Sequence, residues 1–231
     1  MKRITLPLEL TEEVSEILGR HCGDGSCSFG NFDYKVAITE HPSLIELHNR
    51  QLKMLFGLDT RNRIINNECI ESVVRSKQLF EWITSFGIPS GKKSYIVKEP
   101  EKIRSASLQI RKAFLRGLID TDGCIFYDAA NRSLKLEFKT VSPYLASSVN
   151  EILSLLNFKP KLRKQKKGII VGLKGKKVIE NYLNVVGSNN LRLLNKAYIR
   201  LGKQVALAEK AVALRDIPLQ GTRQSGPVSL V

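Results

Sequence analysis

The sequence predicts an α+β protein built from two copies of one αββαββα unit, each with a four-stranded antiparallel sheet. Residues 17–26 and 115–124 share one pattern, an apolar stretch with an internal glycine that ends in Asp-Gly, and they lie 98 residues apart. The elements that follow recur in the same order, which indicates a duplication. The expected molecule therefore has a pseudo-twofold axis with the two motif helices packed at its centre.

Each half repeats the same series of strand and helix signals after its motif. A strand comes first, and an amphipathic helix follows it, opened by HPSL in the first half and by SPYL in the second. A serine beside a proline is a helix-start signal. A further strand, a further helix and a short Lys-x-Tyr-Ile sequence complete each half. The matched segments are 34–39 and 133–141, 41–56 and 142–156, 70–75 and 169–173, 76–88 and 175–188, and 93–96 and 196–199.

Composition indicates where the halves begin and end. The first repeat is expected over residues 1–98 and the second over 107–203, joined by a polar linker over 99–106 that contains Pro100. Residues 204–231 are predicted to hold one more helix and a flexible tail, because the last stretch is rich in Gly, Pro, Ser and Gln without periodicity.

The chain is strongly basic. It holds 37 Lys and Arg against 22 Asp and Glu, a formal charge of +15 and a pI of about 9.8. Lys and Arg bind phosphates and release counterions, so this balance predicts a nucleic-acid partner. On charge alone, a ribosomal or other RNA-binding protein fits as well.

The cysteines and the N-terminal residues favour an intracellular protein. Cys22, Cys27, Cys69 and Cys124 show no paired metal-ligand spacing and are predicted to be reduced thiols. The first residues lack the apolar run of a signal peptide, and no stretch reaches the roughly 18 apolar residues of a membrane span. We expect a protein that is not secreted and has no membrane partner, located in the cytoplasm or nucleoid, or in an organelle if the source is eukaryotic.

The two Asp-Gly motifs supply one carboxylate each. If the motif helices pack through Gly19 and Gly117, their ends place Asp24 and Asp122 side by side. Asp-Gly commonly marks a turn, but here both copies end matching helices. Paired carboxylates bind Mg²⁺, which supports phosphodiester hydrolysis, and their like charges should raise the pKa of one of them. Further candidate metal ligands are the main-chain carbonyls of Gly23 and Thr121.

Alternation along the predicted strands gives each sheet an apolar face and a charged face, as in SLKLEFKTV at 133–141. A sheet bearing Arg, Lys, Asn and Gln can lie in a DNA major groove, where Arg reads guanine and Asn or Gln reads adenine. For any single residue, an ordinary solvated face is the alternative. The candidate DNA-binding residues are Lys35, Arg61, Arg63, Asn66, Arg75, Lys135, Glu137, Lys139, Lys161, Arg163, Lys164 and Gln165.

Over residues 8–203 the chain resembles the LAGLIDADG homing endonucleases in their monomeric two-repeat form. The second motif, LRGLIDTDG at 115–123, matches the family pattern closely. The first, ILGRHCGDG at 17–25, keeps the glycine and the terminal Asp. It departs from the pattern at Arg20 and His21, which stand at apolar positions, and at Cys22, which replaces an acid.

This resemblance implies a saddle of two sheets over double-stranded DNA and cleavage of both strands of a long, nearly asymmetric site, leaving short staggered ends. It implies Mg²⁺ as the cofactor, with Mn²⁺ substituting and Ca²⁺ supporting binding without cleavage. It also implies a monomer that spreads its own intron or intein. A basic residue is expected near each scissile phosphate. The matched Lys93 and Lys196 would fill that role, with Lys92 as the alternative to Lys93.

Two further functions remain open at this stage. The same saddle and charge would serve a maturase that binds its own intron RNA, or a DNA-binding regulator without catalysis. Retention of both Asp24 and Asp122 argues against the regulator. Asp120 has Cys22 as its counterpart, so it is predicted to cap or brace its helix. His21 is predicted to be a packed, hydrogen-bonded residue of the helix interface, and a general base or metal ligand is the alternative.

Overall fold

The structure is a computed structural model that describes residues 4–202, and it has the duplicated α+β fold that the sequence predicts. The first half consists of α1 (Glu12–Cys22), β1 (Gly25–Gly30), β2 (Asp33–Glu40), α2 (Pro42–Phe56), β3 (Arg61–Ile64), β4 (Ile70–Arg75) and α3 (Lys77–Ser85). The second half consists of α4 (Glu101–Arg104), α5 (Leu108–Asp122), β5 (Gly123–Asp128), β6 (Ser133–Thr140), α6 (Pro143–Leu155), β7 (Lys161–Gln165), β8 (Gly168–Lys174), α7 (Lys176–Val185) and α8 (Leu191–Leu201). The helix and tail predicted over 204–231 lie outside the described residues.

Each half contributes one antiparallel sheet of four strands, ordered β1-β2-β4-β3 in the first half and β5-β6-β8-β7 in the second. The registers correspond, since Gly25 lies opposite Ile38 and Gly123 lies opposite Phe138. Alternate residues such as Val36 and Leu136 are buried against the helices. The residues between them point to the opposite side of each sheet, called the polar face below.

Side-chain caps and prolines fix where the helices begin. Thr11 Oγ1 accepts a hydrogen bond from the Val14 N–H at the start of α1 (3.3 Å). Ser142 Oγ accepts one from the Leu145 N–H at the start of α6 (3.2 Å). Prolines stand at the first positions of α2 and α6, where a missing N–H costs no intrahelical bond. HPSL and SPYL therefore open helices, as predicted.

The segment between the two repeats is anchored to the second one. It contains the single turn of α4, in which Ile103 is fully buried. Just before it, Glu99 accepts two hydrogen bonds from the Arg111 guanidinium of α5, at 2.8 and 2.9 Å. This two-point, buried ion pair fixes the connection on the central helix.

All four cysteines are free thiols, as the sequence predicts. None of the helices within residues 4–202 combines the length and the apolarity needed to cross a membrane.

Helices α1 and α5 touch at the centre of the molecule through two glycines. A Cβ added to Gly19 would lie 2.2 Å from the carbonyl oxygen of Phe114, and one added to Gly117 would lie 2.1 Å from that of Glu16. Side-chain carbons do not approach an oxygen so closely, so both positions need glycine. Around this contact pack the buried side chains of Val14, Ile17, Leu18, Leu115, Leu118 and Ile119.

Replacing Gly117 by alanine is expected to lower the free energy of unfolding by about 2 to 3 kcal/mol, because the new methyl group must push the helices apart. The matched change at Gly30, where an added Cβ meets no atom within 4 Å, should alter it by less than about 0.5 kcal/mol. Urea unfolding followed by circular dichroism measures both. Equal midpoints for the two variants would contradict the close helix contact.

Candidate active site

Asp24 and Asp122 line one cavity at the C-terminal ends of the two central helices. Asp122 is the last residue of α5, and Asp24 follows α1 by two residues. The cavity has a volume of about 210 Å³, and its wall also includes Gly23, Lys93 and Lys139. The structure thus brings together two carboxylates that are 98 residues apart in the chain.

Asp122 is held in an environment that disfavours its charge. Burial and the nearby Asp24 carboxylate raise the pKa of Asp122 to about 7, while the Lys93 ammonium acts in the opposite direction. The Asp122 carboxyl therefore titrates near neutral pH when no cation is bound. A divalent cation between the two acids would favour the ionised form of both.

A third carboxyl group, Glu40, reaches this site from the end of β2 and was not predicted from the sequence. It is buried and hydrogen-bonded to Asp24, and burial with this contact raises its pKa to about 7. Its Oε2 accepts a hydrogen bond from the His41 N–H (2.8 Å). By the strand registers, Glu40 corresponds to Thr140 of the second half, which also lines the cavity. Its one sequence signal is a charged residue directly before HPSL.

Lys93 lies on the main-chain end of α1. Its Nζ donates to the carbonyl oxygens of His21 (2.8 Å), Cys22 (2.7 Å) and Gly23. A cation there satisfies carbonyls that the helix leaves without partners and complements the helix dipole. Burial lowers the pKa of Lys93. The neighbouring Lys92 is exposed, so the structure places Lys93 rather than Lys92 at the site.

The structure does not give Lys196 a position equivalent to that of Lys93. Lys93 lies in a loop, whereas Lys196 lies exposed on α8, and Lys196 is absent from the cavity wall. At the end of α5 it is Asn190 that donates, through Nδ2, to the Asp120 carbonyl (2.7 Å). The positive charge that α8 brings near the site is that of Arg192, which acts to lower the pKa of Glu40.

The donor atoms of the site fit a hard divalent cation. Asp24 and Asp122 offer carboxylate oxygens. Of the two predicted main-chain ligands, the Gly23 carbonyl already accepts a hydrogen bond from Lys93 Nζ, and Thr121 lies outside the cavity wall. Oxygen-only ligand sets suit Mg²⁺, Mn²⁺ and Ca²⁺. Within the described residues, no group of three or more His, Cys, Asp and Glu side chains is arranged to hold a metal ion. Water or substrate phosphate would therefore complete the coordination.

Most of the predicted DNA-binding residues of the first sheet share its polar face. Lys35 lies opposite Arg75, and Arg63 lies opposite Glu71, so these side chains and Arg61 point away from the helices. Asn66 instead belongs to the β3–β4 turn, where its Oδ1 accepts hydrogen bonds from two main-chain N–H groups. Its side chain is thus partly occupied by the turn itself.

The second sheet repeats this arrangement with one exception. The strand pairings place six of the predicted residues on the polar face, namely Lys135, Glu137, Lys139, Lys161, Arg163 and Gln165. Lys164 lies opposite Ile169 and points to the other side of the edge strand. It does not join the other residues on the polar face.

A buried polar network joins the two halves beside the cavity. The Glu16 carboxylate accepts hydrogen bonds from Arg20 Nη2 (2.7 Å), Arg116 Nε (2.9 Å) and Asn189 Nδ2 (2.9 Å). Opposing charges hold the pKa of Glu16 below its usual value despite burial. Asp120 accepts hydrogen bonds from the Ser188 hydroxyl and the Asn189 N–H. Asp120 therefore braces the helix end rather than entering the cavity.

His21 is packed inside the protein. It is fully buried beside His48, and burial lowers its pKa to about 3, so its ring is neutral at physiological pH. A Cβ added to Gly25 would lie 2.3 Å from His21 Nδ1, which shows how closely β1 covers the ring. The ring is packed as predicted but not hydrogen-bonded, since neither of its nitrogens has a partner among the described residues. His21 lies outside the cavity wall.

Comparison with known proteins identifies the class to which this fold belongs. Residues 109–197 match the family model of the LAGLIDADG-like domain. The chain superposes on the homing endonuclease I-DmoI in complex with DNA and Mn, with a TM-score of 0.56 and 18% identity over 78% of this chain and 98% of that one. It also superposes on the homing endonuclease I-WcaI bound to its DNA recognition sequence, with a TM-score of 0.58 and 13% identity over 86% and 90%.

The same fold occurs in the N-terminal LAGLIDADG domain of DUF199/WhiA, with a TM-score of 0.52 and 16% identity over 79% of this chain and 86% of that one. In sequence, one subunit of the A-type ATP synthase of Pyrococcus abyssi (strain GE5 / Orsay) is 28% identical over 157 residues. That match covers 67% of this chain but only 14% of the length of the curated relative. Residues 109–197 thus match the LAGLIDADG-like domain, and residues 4–202 have the two-repeat fold seen in the solved LAGLIDADG homing endonucleases.

Replacing Lys93 by methionine is expected to lower the free energy of unfolding by about 1 to 2 kcal/mol, because three carbonyls at the end of α1 lose their donor. The same substitution at the exposed Lys92 should change it by less than about 0.5 kcal/mol. Thermal unfolding of the two variants at one pH gives the comparison. If K92M were as unstable as K93M, the assignment of Lys93 as the lysine that binds the end of α1 would be wrong.

Replacing Asp122 by asparagine should stabilise the metal-free protein more at pH 8 than at pH 5. The folded state raises the pKa of Asp122 to about 7. Ionising it there costs free energy that grows from about pH 4, its unfolded pKa, to pH 7. The neutral amide should gain about 1 to 3 kcal/mol at pH 8 and about a third of that at pH 5. Urea unfolding in EDTA tests this, with a change at the exposed Glu68, Glu68→Gln, as the control. The same pH dependence in both variants would contradict the prediction.

Proposed function

We propose that the protein is a site-specific endonuclease that cuts both strands of duplex DNA with a divalent cation. The observation that carries this proposal is the single cavity shared by Asp24 and Asp122, flanked by two sheets with basic polar faces. The fold shared with I-DmoI and I-WcaI, both of which were solved with DNA, supports it. An RNA or regulatory role alone gives no reason to hold paired carboxylates where phosphate would bind.

The residues of the chain divide the work of such a reaction. Mg²⁺, or Mn²⁺ in its place, would polarise the scissile phosphate and activate a water molecule. Asp24 and Asp122 would hold the cation in the cavity that they share. Lys93 and Lys139, both in the cavity wall, offer positive charge to phosphate oxygens. The two polar faces bind the flanking duplex and set its register on the site.

Finer properties follow from the asymmetry of the two halves. Their polar faces carry different side chains, so the DNA site should be long and asymmetric, with one chain bound per site and short staggered ends after cleavage. Ca²⁺ should support binding without cutting.

Lys196 remains a candidate phosphate contact on α8, outside the cavity wall. Action on DNA implies an intracellular location, and spread of an encoding intron or intein is the biological role that fits best.

The test is selection of a site from a library of duplexes with a randomised core. The wild-type protein in Ca²⁺ should enrich one sequence family, and addition of Mg²⁺ should then produce a pair of discrete, staggered cuts. Mapping of the ends on both strands locates the site. Enrichment without cutting in Mg²⁺ or Mn²⁺ would overturn the endonuclease. Binding of a structured intron RNA would then favour the maturase.

Substitutions of the two acids sharpen the result. Asp24→Asn and Asp122→Asn should each slow double-strand cleavage at least about 100-fold, since even residues that only orient metal ligands cost 10- to 100-fold. Binding in Ca²⁺ should persist within about tenfold. The exposed Asp59→Asn should cut at the wild-type rate. Unchanged cleavage by both active-site variants would exclude the paired carboxylates as the catalytic centre.

A further inference from the structure

Most of the net positive charge of the chain lies in its second half. Residues 1–98 hold 13 Lys and Arg against 12 Asp and Glu, whereas residues 99–202 hold 20 against 8. The two halves share one fold, so the fold does not explain the difference. Such an imbalance has a direct effect on how each half attracts a polyanion.

The excess is concentrated in residues 159–177, called the basic hairpin here. This segment includes β7, β8 and the start of α7, and it holds eight lysines and one arginine without any acidic residue. All eight lysines are exposed. The corresponding residues 59–78 of the first half hold four basic and three acidic side chains.

Ion pairs increase this contrast. On the first sheet, Glu71 pairs with Lys35 (2.8 Å) and Arg63 (3.3 Å), and these cations keep the pKa of Glu71 low. Asp33 pairs with Arg75 (2.9 Å). In the basic hairpin, Arg163 pairs with Glu137, but within residues 4–202 no lysine of the hairpin takes part in an ion pair. The charge of the hairpin thus remains available to an external partner.

The basic surface continues past the edge of the second sheet. Lys159, Lys174 and Lys177 line an open groove of about 360 Å³ whose polar wall also includes Asn157 and Asn181. A phosphate backbone that leaves the polar face at β7 would therefore still meet lysines. The lysines thus extend beyond the polar face, which carries the residues expected to contact bases, as positions for phosphate contacts would.

Protection of a sheet edge does not account for these lysines. Lysine on an edge strand discourages association between sheets, and β7 is an edge strand. However, Lys166 and Lys167 lie in the turn, and Lys176 and Lys177 lie on α7. The edge strand of the first sheet, β3, has no lysine at all.

We propose that the basic hairpin is the electrostatic anchor of the protein on duplex DNA. The part of the duplex under the second sheet is bound first and held most tightly. The first sheet, where Lys35, Arg63 and Arg75 are paired with acidic neighbours, adds contacts afterwards. This inference rests on the proposed DNA substrate and adds an order and an unequal division of binding between the halves.

The first test measures salt dependence on a mixed-sequence duplex of about 30 base pairs in Ca²⁺, by fluorescence anisotropy. The triple variant K161Q/K166Q/K167Q should reduce the slope of log K against log salt by about 2 to 3, because each lost phosphate contact contributes about 0.9. The matched control K35Q/R63Q/R75Q removes three charges from the polar face of the first sheet and should change the slope by less than about 1, because Glu71 and Asp33 already pair with these cations. Equal effects of the two triples would overturn the anchor.

The second test follows lysine acetylation of the wild-type protein with and without the same duplex. As salt rises, protection should persist at the hairpin lysines after it is lost at Lys35 on the polar face of the first sheet. Parallel loss in both halves would refute the order of binding. If the protein shows no salt-dependent binding to duplex DNA, the proposed DNA substrate is wrong. If it cleaves DNA but protection is lost in parallel in both halves, the proposed endonuclease stands and only the anchor is refuted.

Discussion

The contact between α1 and α5 is the constraint on which the rest of the structure depends. Gly19 and Gly117 let the two backbones touch, and each lies against a carbonyl oxygen of the other helix. Because both acids lie at helix ends, their separation is set by the packing of rigid helices rather than by loops. The two sheets follow the same helices, so this contact also sets how the polar faces lie relative to the acids.

The cavity combines charges that oppose one another until a substrate and a cation arrive. Asp24 and Asp122 share one cavity, and Glu40 is hydrogen-bonded to Asp24. Burial raises the pKa of Asp122 and of Glu40 to about 7. The basic polar faces attract phosphate, whereas the acids repel it. A divalent cation removes this conflict, since it is attracted by both the carboxylates and the phosphate. Cation and DNA should therefore bind with positive coupling.

The sequence was sufficient for the features that depend on repetition and alternation, and insufficient for those that depend on tertiary contacts. The repeated Asp-Gly motif predicted the duplication, and alternation predicted the polar faces. Glu40 was missed because only folding brings the end of β2 to Asp24. Lys196 was matched to Lys93 by three shared letters in four, yet Lys196 lies in a helix and Lys93 in a loop. The side of the sheet to which Lys164 points depends on the strand register, because a shift of one residue moves every side chain of a strand to the opposite face.

The network around Glu16 determines which halves can recognise each other. Glu16 binds Arg20 of its own helix and also Arg116 and Asn189 of the other half. The counterparts of Glu16 and Arg20 in α5 are the apolar Phe114 and Leu118. Two first halves placed together would bury Glu16 without its partner Arg116. Two second halves would contain Arg116 without Glu16. In both cases a charge at the interface loses its partner, which costs free energy. The interface is therefore heterotypic, because its polar contacts need one first half and one second half.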